Sequence, residues 1–260
     1  MKIYFLGISS ALVNQEADHT FYYVQAGNQN ILIDCAGNPA GKLLKINHDP
    51  TQIHQILLTH LHIDHCYGLP ALLFHMFLEG RTEDISVSAP DDEFIQLENQ
   101  LAAYGLYPNA RTFMVNAHPI KSDPNTELFN TGSCRITTAS GDHGRSVRGF
   151  RIEEIETGIV ATFSGDTRPN DDIRRLACDA DILIHEATYT DKNKVLSQEY
   201  GHSTAAQAAN IAQQAGVQRL ALTHFDLIAE PDLNVYRREA AEFFHDEIII
   251  PRELDWIELT

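Results

Sequence analysis

An α/β protein is what this sequence predicts, and three observations predict it. Short strand-like runs alternate with stretches of helical period along the whole chain. The first two or three β-runs follow one another with no helix between them, which points to an antiparallel or mixed start rather than a Rossmann βαβ unit. Compact apolar runs later in the chain end in His or Asp, as strands that deliver polar groups to one rim would. The 260 residues allow one large domain or two small ones. No Gly/Ser/Pro-rich linker divides them, so residues 1–260 read as a single domain. Hydrophobic residues make up 43% and charged residues 21%, which excludes disorder and fibrous repeats.

In chain order, Lys2–Gly7, Phe21–Gln25 and Ile31–Asp34 read as strands, with Gly27-Asn28 as a hairpin-type turn between the last two. Gly41–Ile46 reads as a short helix stopped by Asn47–Pro50, and Gln55–Thr59 as a buried strand. Leu69, Leu72, Leu73, Met76 and Phe77 recur every three to four residues, so one helix is expected from about Asp64 to Leu78. Ile85–Ser88 is a strand, and Pro90 with Asp91 and Asp92 opens a helix to about Tyr104. From Tyr107 to Thr131 no period is clear, and Pro108, Pro119 and Pro124 interrupt it. Cys134–Ala139, Gly149–Ile155 and Gly158–Phe163 follow as strands, then helix Asn170–Cys178 and strand Ile182–His185. An Ala-rich helix Ser203–Ala215 has Ser203 as its expected N-cap. Strand Leu220–Thr223, helix Val235–Phe244 and strands Glu247–Ile250 and Trp256–Leu259 complete the chain.

Lys+Arg number 19 against 36 Asp+Glu, a formal charge of −17. Such a surface repels phosphate backbones and argues against a general nucleic-acid coat protein. The four cysteines form no C-x-x-C pair, as expected of a reduced intracellular protein. The opening MKIYFLGISS is too short and too quickly polar for a secretory leader. No apolar run approaches the roughly 18 residues of a membrane span. A soluble, cytoplasmic protein with no membrane partner is expected.

The sharpest motif is Thr59-His60-Leu61-His62-Ile63-Asp64-His65, directly after the strand QILLT. His60 and His62 are two apart, so in an extended loop their rings point the same way. Asp64 and His65 are adjacent on a first helical turn and diverge, so one loop can serve two neighbouring centres. Imidazole with carboxylate suits zinc and related divalent ions. Two ions need more ligands than one loop supplies, and His143, Asp166 and His224 each follow a strand end. Singly each reads as a turn or cap residue; beside His60–His65 the metal reading takes over.

H-x-H-x-D-H, a later His, Gly165-Asp166-Thr167 and a late Thr223-His224 resemble the metallo-β-lactamase superfamily of binuclear metallohydrolases. More narrowly, Ile184-His185-Glu186-Ala187-Thr188 and Gly201-His202-Ser203-Thr204, with Leu222-Thr223-His224-Phe225, resemble the ribonuclease Z group of tRNA 3′-processing endonucleases and its armless phosphodiesterase relatives. IYFLG, Ile31–Cys35 and Gly68-Leu69-Pro70 match the same group. The resemblance implies an αββα sandwich with two divalent ions per chain, zinc first and manganese or iron as alternatives. It implies that His60, His62 and His143 hold one ion, Asp64, His65 and His224 the other, and that Asp166 bridges both. Relatives of this kind are often dimers, so a homodimer is the assembly it allows.

Two adjacent divalent ions polarise a phosphoryl oxygen and lower the pKa of a bridging water toward about 7. The leaving alkoxide then needs a proton. His202, just before the Ser-Thr-led helix, is the expected donor, and Glu186 its expected orienting carboxylate. With Asp64 they form the expected catalytic set. Histidines 19, 48, 54, 75, 118 and 245 show no such spacing, and His185 should face away from Glu186.

One departure bears on substrate. Only 23 positions separate His143 from Asp166, where the long-armed tRNA nucleases carry a protruding docking arm. With the acidic balance, this favours a small or cyclic phosphodiester, hydrolysed by a metal-bridging hydroxide, over RNA. Precursor tRNA is the alternative, and a lactone or other ester a further one that the His202/Glu186 pair argues against. Arg145, Arg148, Arg151 and Arg168 are open to two readings, as ligands of a substrate phosphate or as strand-surface charges.

Overall fold

The computed structural model describes residues 1–123 and 126–260; Pro124, one of the prolines noted above, lies outside the described residues. Strands β1 (Lys2–Gly7), β2 (Phe21–Ala26), β3 (Gln29–Ile33), β4 (Gln55–Leu57), β5 (Ile85–Pro90), β6 (Val115–Ile120) and β14 (Trp256–Glu258) form one seven-stranded sheet in the order β14-β1-β2-β3-β4-β5-β6. Strands β7 (Thr126–Asn130), β8 (Cys134–Ser140), β9 (Arg148–Glu154), β10 (Val160–Phe163), β11 (Ile182–Glu186), β12 (Arg219–Thr223) and β13 (Glu247–Ile249) form the second, in the order β13-β12-β11-β10-β9-β8-β7. Each sheet is mixed. It is antiparallel through β14-β1-β2-β3 and β10-β9-β8-β7, and parallel through β3-β4-β5-β6 and β10-β11-β12-β13.

Helices α1 (Pro39–Lys45), α3 (Leu69–Leu78) and α4 (Phe94–Ala103) cover the outer face of the first sheet. Helices α5 (Asp171–Leu176), α7 (Ala205–Ala215) and α8 (Leu233–Ala241) cover the second. The layering follows from strand periodicity, because successive side chains point to opposite faces. Ile3, Phe5, Ile31 and Ile33 enter the core between the sheets, while Tyr4, Leu6 and Leu32 pack outward with Leu43, Leu72 and Met76. Each such buried Ile, Leu or Phe contributes about 1.5–3 kcal/mol relative to exposure. A one-residue slip of β1 or β3 would exchange the two cores, so the register is fixed twice over.

Most expected elements form where the sequence places them, with three differences. The helix expected from Asp64 to Leu78 is two: α2 (Ile63–Cys66) ends at Tyr67, and α3 restarts with Pro70 in its first turn. Proline has no N–H to give the carbonyl four residues back, and the Gly68 N–H goes to the Cys35 carbonyl instead (2.9 Å). Ser203 is not the cap of α7. Thr204 is, in a reciprocal capping box with Gln207, while the Ser203 hydroxyl donates to the Thr167 carbonyl (2.7 Å). A helix not anticipated, α6 (Lys194–Tyr200), runs up to Gly201. In the stretch without clear period, β6 accommodates Pro119 because it is the edge strand of its sheet. Among the described residues no helix is long and apolar enough to cross a membrane.

Candidate metal centre

The carboxyl ends of the central strands meet along one rim. Asp34 follows β3, His60 to His65 follow β4, and Asp166, Glu186 and His224 follow or end β10, β11 and β12. His143 lies in the β8–β9 loop. All seven residues expected as metal ligands come together there. One group joins His60, His62 and His143; a second joins Asp64, His65 and His224; each group has its ligand atoms within 4.8 Å of one another. Asp166 Oδ2 lies 3.9 Å from His60 Nε2, 3.3 Å from His65 Nε2 and 3.2 Å from His224 Nε2, so one carboxylate oxygen faces both groups.

The outward nitrogen of four of the five rings is tied down, and the tie decides the tautomer. His143 Nδ1 is 2.8 Å from the Gly201 carbonyl, which only accepts, so this nitrogen carries the proton and Nε2 keeps its lone pair. Gly201 is required here. Its φ is +82°, and a Cβ would stand 2.7 Å from His143 Nδ1. His65 Nδ1 donates to Asp34 Oδ2 (2.8 Å). The Thr59 hydroxyl donates to Asp34 (2.9 Å) and therefore accepts from His60 Nδ1 (3.0 Å). The Thr188 hydroxyl donates to Glu186 Oε2 (2.9 Å) and accepts from His224 Nδ1 (2.8 Å). Four Nε2 atoms thus face the same rim, where His60 Nε2 and His62 Nδ1 are 2.9 Å apart.

Such convergence calls for positive charge. His224 Nε2 is buried with no hydrogen-bond partner. Burial pulls His60 well below the usual imidazole range, and pulls His224 down to about 4 against the attraction of Asp166. Burial also opposes charging His65, but Asp166 and Asp34 outweigh it and push that ring well above the usual range. Burial would raise Asp166, yet His224 and His65 around it hold the carboxyl well below the usual range. Imidazoles gathered around an ionised carboxylate, with the extra proton on His65 the one an ion would replace, are the donor set that divalent zinc-like ions take, so the residues fit the ions the sequence implied.

Glu186 and His202 also meet. Glu186 Oε1 lies 3.0 Å from His202 Nδ1 and accepts from the backbone N–H groups of Thr167 (2.9 Å) and Ser203 (3.1 Å). Burial lowers the His202 pKa, but the Glu186 carboxylate outweighs it and the ring is pushed up to about 9. His185, by contrast, is turned to the Glu186 carbonyl (2.7 Å) and belongs to neither metal group.

A cavity of about 410 Å³ opens over these residues. His62, Asp64, His143, Asp166, His202 and His224 line its polar side, and Leu12, Ile63, Tyr189 and Tyr200 its apolar side. Among the described residues, no lysine or arginine lines it. Of the four arginines left open above, Arg148 bonds the Val147 and Ile120 carbonyls, Arg151 those of Leu176 and Cys178, and Arg168 bonds Asp142 and the Gln198 carbonyl. Arg145 is paired with Glu93. None of the four lines the cavity.

Sequence reasoning missed Asp34 and Thr188. Asp34 carries the same strand-end signal that singled out Asp166. Its φ of +59°, like that of His224 (+61°), is an uncommon conformation for a residue with a side chain, held by the network around it.

A family model described as beta-lactamase superfamily domain matches residues 29–225. The chain belongs to the beta-lactamase superfamily. This superfamily member is 30% identical to a protein named Ribonuclease Z from Salinibacter ruber (strain DSM 13855 / M31), covering 92% of this chain and 88% of the relative. That match runs over 292 positions against 260 residues here, so the relative carries inserted segments that this chain lacks. Among solved structures, the human tRNase Z short form has a TM-score of 0.83 at 24% identity over 100% of both chains. The metallo-beta-lactamase fold protein YhfI from Bacillus subtilis has a TM-score of 0.83 at 21% identity over 98% of each. Both share the αββα fold expected from the sequence. The superfamily member is a metal-dependent hydrolase.

Proposed function

We propose that residues 1–260 act as one phosphodiesterase domain on a small or cyclic phosphodiester, with two divalent ions per chain, zinc first and manganese or iron as alternatives. In this reading His60, His62 and His143 hold one ion, Asp64, His65 and His224 the other, and Asp166 both. The bound ions supply Lewis-acid polarisation of the phosphoryl oxygen and a nucleophilic water at neutral pH. His202 gives the leaving alkoxide its proton. With Nδ1 engaged by Glu186, Nε2 is the nitrogen left for substrate, and a pKa near 9 keeps the ring charged at neutral pH. Glu186 is the carboxylate that orients His202. Asp64 lines the cavity as well as joining the second group, and so counts with the catalytic residues.

The observation that carries the small-substrate reading is the connection between His143 and Asp166. Strands β9 and β10 are joined by a tight turn in which the Gly158 N–H bonds the Glu154 carbonyl and the Glu154 N–H bonds the Ile159 carbonyl, both at 2.9 Å. This hairpin carries no arm. A cavity without lysine or arginine likewise favours a substrate with a single phosphate over a polyanion. A second reading, tRNA 3′-end processing, is favoured by the relatives named Ribonuclease Z.

The test is kcat/KM for bis(p-nitrophenyl) phosphate, a cyclic nucleotide, a lactone and a precursor tRNA, each at two salt concentrations. The expected result is hydrolysis of the small diesters with modest salt dependence and poor turnover of the others. Efficient cleavage at the tRNA 3′ junction with steep salt dependence would replace this reading with the second one. Preference for the lactone would remove both.

A further inference from the structure

We propose that Glu93 and Arg145 are positioning residues for the His60/His62/His143 group, acting through the peptide of Leu61; the proposal rests on reading that group as a metal half-site. Leu61 stands between the two histidines, in a loop outside any helix or strand, so no ladder satisfies its backbone. Its N–H donates to Glu93 Oε2 (2.8 Å) and its carbonyl accepts from Arg145 Nη1 (2.9 Å). Arg145 Nε closes the ring by donating to Glu93 Oε1, and Nη2 donates to Gln96 Oε1 (3.1 Å). One carboxylate and one guanidinium thereby grip both polar groups of a single peptide.

The two residues reach that peptide from opposite sides. Glu93 comes from the turn between β5 and α4 on the first sheet, and Arg145 from the β8–β9 loop of the second, two residues beyond His143. The clamp therefore joins the loop carrying His60 and His62 to the loop carrying His143. It fixes the distance between elements that no strand pairing connects. Glu93 is buried at 8% exposure, where an unpaired carboxylate would be costly, so its pairing with both Arg145 and the Leu61 N–H is what makes the arrangement stable. No clamp hydrogen bond reaches Asp64, His65 or His224, and His65 and His224 lean on Asp34 and Thr188 instead.

The guanidinium fork is essential to this geometry, because Nε and Nη1 bind different partners. Lysine would keep the charge and lose the fork. We would measure zinc stoichiometry and the affinity of each ion by chelator competition for the wild type, Glu93→Gln and Arg145→Lys, with the melting temperature of the metal-free proteins. The expected result is two ions in the wild type. In both variants one affinity falls about 10–100-fold, the range for loss of a partner behind a metal ligand, and the other stays unchanged. Arg145→Lys should be no better than Arg145→Gln. Wild-type affinities in both variants, rescue by lysine, or equal weakening of both ions together with a lower melting temperature would overturn the clamp. A wild type that binds no zinc would instead overturn the metal reading on which it rests.

Discussion

His62 and His143 lean on backbone, through the gripped Leu61 peptide and the Gly201 carbonyl, whereas His60, His65 and His224 lean on side chains, the Thr59 hydroxyl, the Asp34 carboxylate and the Thr188 hydroxyl. The first group is three imidazole rings with no carboxylate of its own. The second contains Asp64 and has a further buried carboxylate behind it. Asp166 is common to both. The difference teaches that one rim can present two unequal half-sites. The carboxylate-rich one should attract a divalent ion more strongly, and the three-histidine one should release its ion first to a chelator.

Asp166→Ala removes the group the two halves share and abolishes the comparison. Its expected effect is the largest, a loss of turnover beyond the roughly 10²–10⁴-fold of a missing general acid, with metal content falling in both halves by elemental analysis. His202→Ala should leave the halves intact. Turnover falls about 10²–10⁴-fold with both ions retained; loss of an ion would make His202 a ligand. Asp34→Asn sharpens the contrast by loosening His65 directly and His60 only through Thr59, so the ion at His65 should weaken most, by about 10–100-fold in chelator competition, and the other less. Glu186→Gln reaches the second half only through the Thr188 hydroxyl behind His224, and its main effect should show in the pH profile. In the wild type His202 stays protonated until about 9, against an ordinary value of 6.5. Without the carboxylate the alkaline limb of kcat should move down toward that ordinary value. Activity is then lost between the two values and unchanged below both.

The fold class and all seven candidate ligands were legible because strand ends are written in the sequence as apolar runs stopped by His or Asp. Asp34 bore the same mark and was passed over, because its partner His65 lies 31 residues away and a carboxylate behind a ligand has no spacing of its own. The Glu93–Arg145 pair spans 52 residues and acts on a backbone group, which no side-chain motif encodes. The break between α2 and α3 was hidden for a related reason. The apolar period continues across Pro70, but the Gly68 N–H is taken by a strand-end carbonyl from another part of the chain.

The most direct test of the central claim, two unequal half-sites joined by Asp166, is a stepwise zinc titration of the metal-free protein followed by elemental analysis. The expected result is two ions per chain with distinct affinities, the weaker one removed first by chelator. A chain that saturates at one ion, or takes up none in excess zinc, would contradict it.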